Sequence, residues 1–413
     1  MIPRTISVRA IHPIKQFESS FGILKMLHFL KCGAAVLLLM SSTVVVRAQS
    51  EVSSHDPLEM QKARVKSVTS KGHKVWYADT FDLSGLPEYQ PERQVTGTIR
   101  QWGNNYLADS TLARMWEEAF QKYQPGVDFK DNLTSSAVGF PGLITGVADI
   151  GQMGRAVLWD ELQGYQRQFA GAPLELVIAT GSYNVPGWTF ALGVFVHKDN
   201  PITKLTLQQL DGIFGAARTG GWKGLEWDAS VARGPERNIR TWGQLGLTGE
   251  WADKPIHVYG YTPQFHFTDE ISKKVLGGGS KWNENIREYV NAARPDGTLA
   301  LAGDLFMRDL ANDPYGIAYT GVPHQVPETR SLALAAKDGA PYVPLTIETV
   351  QNRSYPLTRD VYAYIHAEKP LDPKLKEFMR FILSRQGQEL VMKDGKYLPL
   401  TAAAAREQLS KLQ

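Results

Sequence analysis

From Thr96 onward the chain alternates strand-like runs with amphipathic helical ones, and that alternation leaves few folds open. "TGTIRQWG" has period two and ends in glycine, which reads as a strand and a turn. In "LADSTLARMWEEAFQKYQPG", residues Leu112, Met115, Trp116, Ala119, Phe120 and Tyr123 share one helical face. Asp109 or Ser110 caps its start, and Pro125-Gly126 stops it. "VDFKDNL" then reads as a strand, "SAVGFPGLITG" as a short helix and "VADIGQMG" as a strand. "LWDELQGYQRQFA" follows as a helix and "PLELVIATGSYNV" as a strand. This order predicts an α/β fold of βαβ units around mainly parallel sheets flanked by helices.

The second half keeps the habit. "GWTFALGVFVHKDNP" reads as a strand entering a second domain, and "TLQQLDGIFG" as a helix capped by Thr206. Residues 215–254 are rich in Gly, Trp and Arg and read as an irregular insertion whose tryptophans fill a small satellite core. "PIHVYGY" is a strand, "FTDEISKKVLGGG" a helix, and "YPLTRDVYAYIH" a late strand. "PKLKEFMRFILSRQGQELVMKDG" is one interrupted helix or two.

The N-terminus follows a different logic. "MLHFLKCGAAVLLLMSSTVVVRAQS" starts at Met26 and has a basic front, an apolar run and small residues before Gln49. That is the layout of a cleaved signal peptide, and the apolar run falls short of the ~20 residues of a membrane span. Residues 1–48 are therefore set apart, and the protein is expected in the periplasm or outside the cell. Residues 49–95 form an N-terminal extension, with a short strand possible in "HKVWYADTF". The single cysteine, Cys32, lies in the leader, so the exported chain has no thiol for a disulfide, a thiolate metal site or a nucleophile. A net charge of +3 with interspersed signs gives no stripe for nucleic acid.

"NLTSSAVGFPGLITGVADIG" carries one charged side chain, Asp149, and crowds Thr134, Ser135 and Ser136 before a short helix. Helix N-termini hold unpaired N–H groups and partial positive charge, so they bind oxyanions without lysine. Ordinary N-capping uses the same residues.

Several segments together resemble the phosphate-binding proteins that serve bacterial ABC importers, within the type II periplasmic binding protein superfamily. They are the glycine turn and helix at Gly103–Tyr123, the hydroxyl cluster, "ADIGQMGR", "HKDNPITKLTLQQL" with "IFG", "YPLTRDVYAYI", and "SRQGQELV" with "GKYLPL". The resemblance spans about residues 96 to 400. It implies a two-lobed periplasmic-binding-protein fold with two hinge crossings, near Tyr183–Trp188 and Arg353–Leu357. Residues 96–185 plus 355–413 would form lobe 1 and residues 186–354 lobe 2. It implies a non-catalytic monomer without cofactor or metal that closes on a small anion and passes it to a membrane ABC permease. Carried onto this sequence, the ligand-binding residues are Asn105, Tyr106, Ser135 and Ser136; Arg155, at the C-terminal end of a strand, and Tyr261 and Thr262, polar groups available in lobe 2, are added to them. Arg155 has a competing role as an ion-pair partner for an acid such as Asp149.

The family pattern breaks in lobe 2. An arginine and Ser-Gly-Thr usually precede an aromatic-led helix, and here the stretch is "VYGYTPQFHFTDE". A bidentate arginine is a strong oxyanion contact, so its loss leaves phosphate-like anions open beside phosphate itself. Two rival readings follow. One is a scaffold or assembly protein that has lost its ligand. The other is a serine hydrolase using Ser136, His266 and Asp149, although no G-x-S-x-G elbow is present.

Overall fold

A computed structural model describes residues 54–72, 76–78, 80–263 and 265–413. The expected leader, residues 1–48, lies outside them. The extension begins with a helix that the sequence reading lacked, α1 (Pro57–Gly72). Its start has a local cause. The Asp56 carboxylate accepts from the amides of Leu58 and Glu59 at 2.9 and 3.0 Å, and Pro57 takes the first helical position. The strand expected in "HKVWYADTF" is absent from its described residues. Instead the amides of Trp76 and Tyr77 both donate to the Gly395 carbonyl.

The body then runs β1 (Thr96–Gly103), α2 (Asn105–Asp109), α3 (Leu112–Gln121), β2 (Gly126–Asn132), α4 (Gly139–Ile144), β3 (Ile150–Met153), α5 (Trp159–Gln168) and β4 (Leu174–Thr180). After a crossing come β5 (Gly193–His197), β6 (Lys204–Thr206), α6 (Leu207–Phe214) and the hairpin β7 (Gly221–Lys223) and β8 (Glu226–Asp228). Next are β9 (His257–Tyr261), α7 (His266–Lys274), β10 (Arg287–Tyr289) and the hairpin β11 (Ala292–Ala293) and β12 (Leu299–Ala300). α8 (Ala302–Leu310), β13 (Gly316–Thr320), β14 (Thr329–Ser331), β15 (Ala333–Ala335) and α9 (Ile347–Gln351) follow. A second crossing leads to β16 (Asp360–Ile365), α10 (Pro373–Ile382), α11 (Arg385–Asp394) and α12 (Ala402–Ser410).

Two five-stranded sheets result, ordered β2-β1-β3-β16-β4 and β10-β9-β13-β5-β14. In each, four strands share a direction and one is reversed, β16 in the first and β5 in the second. The reversed strand is the one that enters directly from the other lobe. The two crossing segments lie side by side: the Gly181 amide donates to Arg359 O at 2.8 Å, and Leu192 to Leu357 O at 3.1 Å.

Helices cover both sheets because their apolar faces match them. Trp116 and Phe120 of α3, and Phe378 and Phe381 of α10, are essentially fully buried over Ile99 and Val127. Burying such side chains contributes ~1.5–3 kcal/mol each. Thr206 caps α6 in a capping box with Gln209. At the start of α3, Thr111 holds the N-cap position at φ 72° without a side-chain cap bond of its own, and the expected Ser110 does the capping, its hydroxyl accepting from the Leu112 amide at 3.3 Å. The C-terminal helical stretch is two helices, broken where the Ser384 side chain caps α11. In the insertion, Trp242 is fully buried and packs with Trp251, whereas Trp222 and Trp227 remain exposed. Only half of that cluster fills a core.

A carboxyl pair on the first lobe gives a pH test. Gln101 Nε2 donates to Glu117 Oε1 at 2.7 Å and to Asp131 Oδ1 at 3.3 Å. Burial, and then the neighbouring Asp131, pushes the Glu117 carboxyl from 4.5 up to about 8. The folded state thus holds a proton that the unfolded chain has lost. The stability this contributes is whole below about pH 4.5, declines as pH climbs, and is gone above about pH 8. Glu117→Gln cannot ionise, so it is expected to raise the melting temperature relative to wild type more at about pH 8 than at about pH 5. Equal shifts at both pH values would contradict the assignment.

Candidate functional site: the cleft beneath α1

The first crossing, the first lobe and the second lobe meet around a cavity of about 350 Å³. Tyr106 comes from α2, and Gly187 and Phe190 from the first crossing. Tyr261 ends β9, and His266 and Phe267 open α7. Tyr106 packs on buried Trp188 with ring centroids 4.7 Å apart. Gly187 permits this: a Cβ there would lie 2.7 Å from the Tyr106 hydroxyl, and its φ is +95°.

A second cavity, about 700 Å³, adjoins the first and shares Arg64, Asn291 and Leu299 with it. Asn105, Thr134 and Ser135 line its first-lobe side, and α1 lines it with Met60, Gln61 and Val65. The cleft between the lobes is therefore roofed by the N-terminal helix. The lobes also touch elsewhere on the rim, where Lys273 Nζ donates to Val157 O at 2.7 Å and Trp159 packs on Trp222.

The site residues expected from the sequence are divided. Tyr106 and Tyr261 line the first cavity, and Asn105 and Ser135 line the second. Asn105 Nδ2 donates to Asp109 Oδ2 at 2.9 Å, while Asn104 does the capping, accepting from the Tyr106 amide. The Ser135 hydroxyl accepts from the Ala137 amide at 3.3 Å as an N-cap. The Ser136 hydroxyl accepts from the Gly154 amide at 3.0 Å, and Ser136 lines neither cavity. Arg155 makes a two-pronged ion pair with Glu161, at 2.8 and 2.6 Å. Its partner is not Asp149, which instead holds the backbone and side chain of Arg100. Tyr261 bonds Thr320 Oγ1 at 2.6 Å, and burial pushes its phenol well up. Thr262 Oγ1 is buried with no hydrogen-bond partner among the described residues.

Three residues that sequence reasoning left out or set aside matter for the electrostatics. Arg64 reaches the Tyr106 hydroxyl from α1; burial raises that phenol and the Arg64 charge opposes the rise. Arg359, on the second crossing, stacks its guanidinium 5.0 Å from the centroid of the Phe267 ring. His266, the histidine of the hydrolase reading, lines the cavity. Burial holds its imidazole well below its usual range, and the charges of Arg359, Arg155 and Arg64 push the same way. His266 is therefore neutral in a positive field. Among these arginines, Arg155 and Arg359 each face a carboxylate, Glu161 and Glu270, while Arg64 faces a neutral hydroxyl. Phe265 at the N-cap of α7 offers no side-chain acceptor to the first turn. Its partial positive charge adds to the same field. The sequence signal for α1 itself, though not for where Arg64 lands, is Asp56-Pro57, a cap and a first-position proline within the N-terminal extension.

The hydrolase constellation is not assembled. Asp149 is occupied by Arg100, and Ser136 lies outside the cavity that His266 lines. Among the described residues no group of His, Cys, Asp and Glu is arranged to hold a metal ion, and no helix is long and apolar enough to cross a membrane.

Comparison with known proteins places this architecture. Residues 90–386 match the model of a PBP superfamily domain. The phosphate-binding protein PstS of Pseudomonas aeruginosa is 32% identical over 329 residues, covering 79% of this chain and 90% of that protein. Protein SphX of Synechococcus elongatus is 22% identical over 291 residues, covering 70% of this chain and 73% of that protein. Of solved structures, PstS from Borrelia burgdorferi aligns at 16% identity with a TM-score of 0.45, covering 74% of this chain and 99% of that one. With the family model spanning most of the body and a 32% identical relative over most of its length, the chain is a member of the PBP superfamily.

Proposed function

We propose that this protein is a solute-binding protein that captures phosphate, or a small phosphate-like anion, between its lobes for a membrane ABC importer. It acts as a monomer in the periplasm after removal of a signal peptide. The observation that carries the reading is a positive field with no acid in the lining: Arg64 and His266, the latter at the open N-terminus of α7, line one cavity that has no Asp or Glu. A neutral imidazole in such a field stabilises a neighbouring anion by hydrogen bonding without competing for its charge. The 32% identical relative is named a phosphate-binding protein, which agrees in ligand class. Closure follows from contacts to both lobes, since a ligand favours the form that it touches from both sides.

Thermal shift and calorimetry against phosphate, arsenate and sulfate test this directly. A ligand present at a hundredfold excess over its Kd adds ~2.7 kcal/mol of stability. For a chain of this size, with an unfolding entropy of about 2.1 cal/mol/K per residue, that is a rise of roughly 3–4 °C. No rise with any of the three anions would favour a scaffold that has lost its ligand.

A further inference from the structure

We propose that α1 is a built-in lid, and that its Arg64 supplies the cationic contact to the bound anion from outside both lobes. This rests on the anion-binding reading above. The cleft needs such a donor, because the stretch before α7 contains no arginine and Arg155 is already satisfied by Glu161.

Two observations and the chemistry of the guanidinium place Arg64 in that role. It lines both cavities beneath α1. Its partner there is the uncharged Tyr106 hydroxyl, so its charge is not cancelled by that contact. A guanidinium has five donors in a planar fork, and a single phenol leaves most of them for a second acceptor.

The segment that carries the helix is anchored on each side of it, by Ser54 and His55 before it and by Tyr77 after it. On the second lobe, Ser54 bridges Ala293 by two backbone bonds of 2.7 and 2.8 Å, and His55 Nδ1 bonds Asn291 O at 3.1 Å. On the other side, the Tyr77 hydroxyl accepts from the amides of Tyr183 and Asn184 at the first crossing, at 2.8 and 3.2 Å. Between these anchors, Ala63 is buried, Met60 is half-buried, and Leu58 and Val65 stay exposed. Among the described side chains of the helix only Ala63 is buried, so lifting this part of it uncovers little apolar area. Lifting α1 opens the cleft, and closing it brings Arg64 onto the anion.

Isothermal calorimetry with inorganic phosphate on the full chain tests the proposal, with Arg64→Ala, Arg64→Lys and the exposed control Lys62→Ala. Arg64→Ala is expected to weaken phosphate binding at least tenfold and to flatten its dependence on ionic strength. The unliganded melting temperature should stay unchanged, which separates a ligand contact from a structural one. Arg64→Lys keeps the charge and should recover most of the loss, and Lys62→Ala should bind as wild type. Undiminished phosphate affinity in Arg64→Ala overturns the lid proposal and leaves the anion-binding reading standing. A wild-type chain that binds no phosphate overturns both.

Discussion

Glu270→Ala is expected to lower stability by ~3–5 kcal/mol in urea denaturation, because it strands a buried guanidinium. Arg359 is 1% exposed, and its Nε and Nη2 have no hydrogen-bond partner among the described residues. Its Nη1 donates to Phe190 O at 3.4 Å, and its one nearby carboxylate is Glu270, 3.9 Å from Nε. Burial draws the Arg359 pKa down, and Glu270 is the largest influence holding it up. Glu270 shows the converse. Burial disfavours its charge, yet Lys274 and Arg359 outweigh burial and keep the carboxyl below its ordinary range. Its contribution is thus present above the unfolded value of 4.5 and is lost as pH falls through the lower folded value. Lys274 can turn to solvent when the acid goes, but Arg359 cannot. Replacing both, as Glu270→Ala with Arg359→Met, should restore most of the loss, since neither charge then remains buried. A single-mutant loss under ~1 kcal/mol would show that water or another group already satisfies Arg359.

Gly103→Ala is expected to cost more than about 3 kcal/mol and to abolish anion binding with it. Gly103 ends β1 at φ +138°, and a Cβ there would lie 1.8 Å from the carbonyl oxygen of Gln152. No rotamer escapes a backbone clash of that depth, so β1 and β3 must part where they pair Gly103 with Gln152. That carbonyl also accepts from the Asn104 amide at 2.7 Å, and Asn104 holds Tyr397 through its side chain at 3.0 Å. The turn that presents Asn105 and Tyr106 would move with it. Gly146→Ala is the control. Its φ of +71° is also unfavourable, but nothing lies within 4 Å of the added carbon, and a cost of about 1 kcal/mol is expected from backbone strain alone. Thermal melts of the two variants should therefore separate clearly, and equal melting temperatures would refute the packing argument.

Periodicity served well where burial decides structure. The apolar faces of α3, α6 and α10 and the alternating run of β1 are legible because a wrong register would expose them. The strand after each crossing was also visible, in "GVFVH" and "DVYAYI", as an unbroken apolar stretch buried on both sides. Hydroxyls were harder to assign. Ser135 and Ser136 are polar groups beside helix starts whether they meet a ligand or, as here, the amides of Ala137 and Gly154. Sequence spacing cannot separate these, because both uses demand the same short donor and acceptor at the same place. Arg155 was similarly ambiguous, and Glu161, six residues on, decided it through the geometry of the turn into α5. Arg64 was out of reach for another reason. Its importance comes from where α1 lands, some 40 residues before Tyr106 in the chain, and no local pattern encodes a docking site at that separation.

The placement of β16 has a consequence for biosynthesis. It is the fourth of five positions in the first sheet, inserted between β3 and β4, yet it is made only after the whole second sheet. A growing chain that has emitted β1 to β4 holds a sheet with a gap in it, two unpaired edges facing each other across a missing ribbon. Stop codons before residue 360 would leave that gap permanently open, so shortened products should be insoluble or degraded.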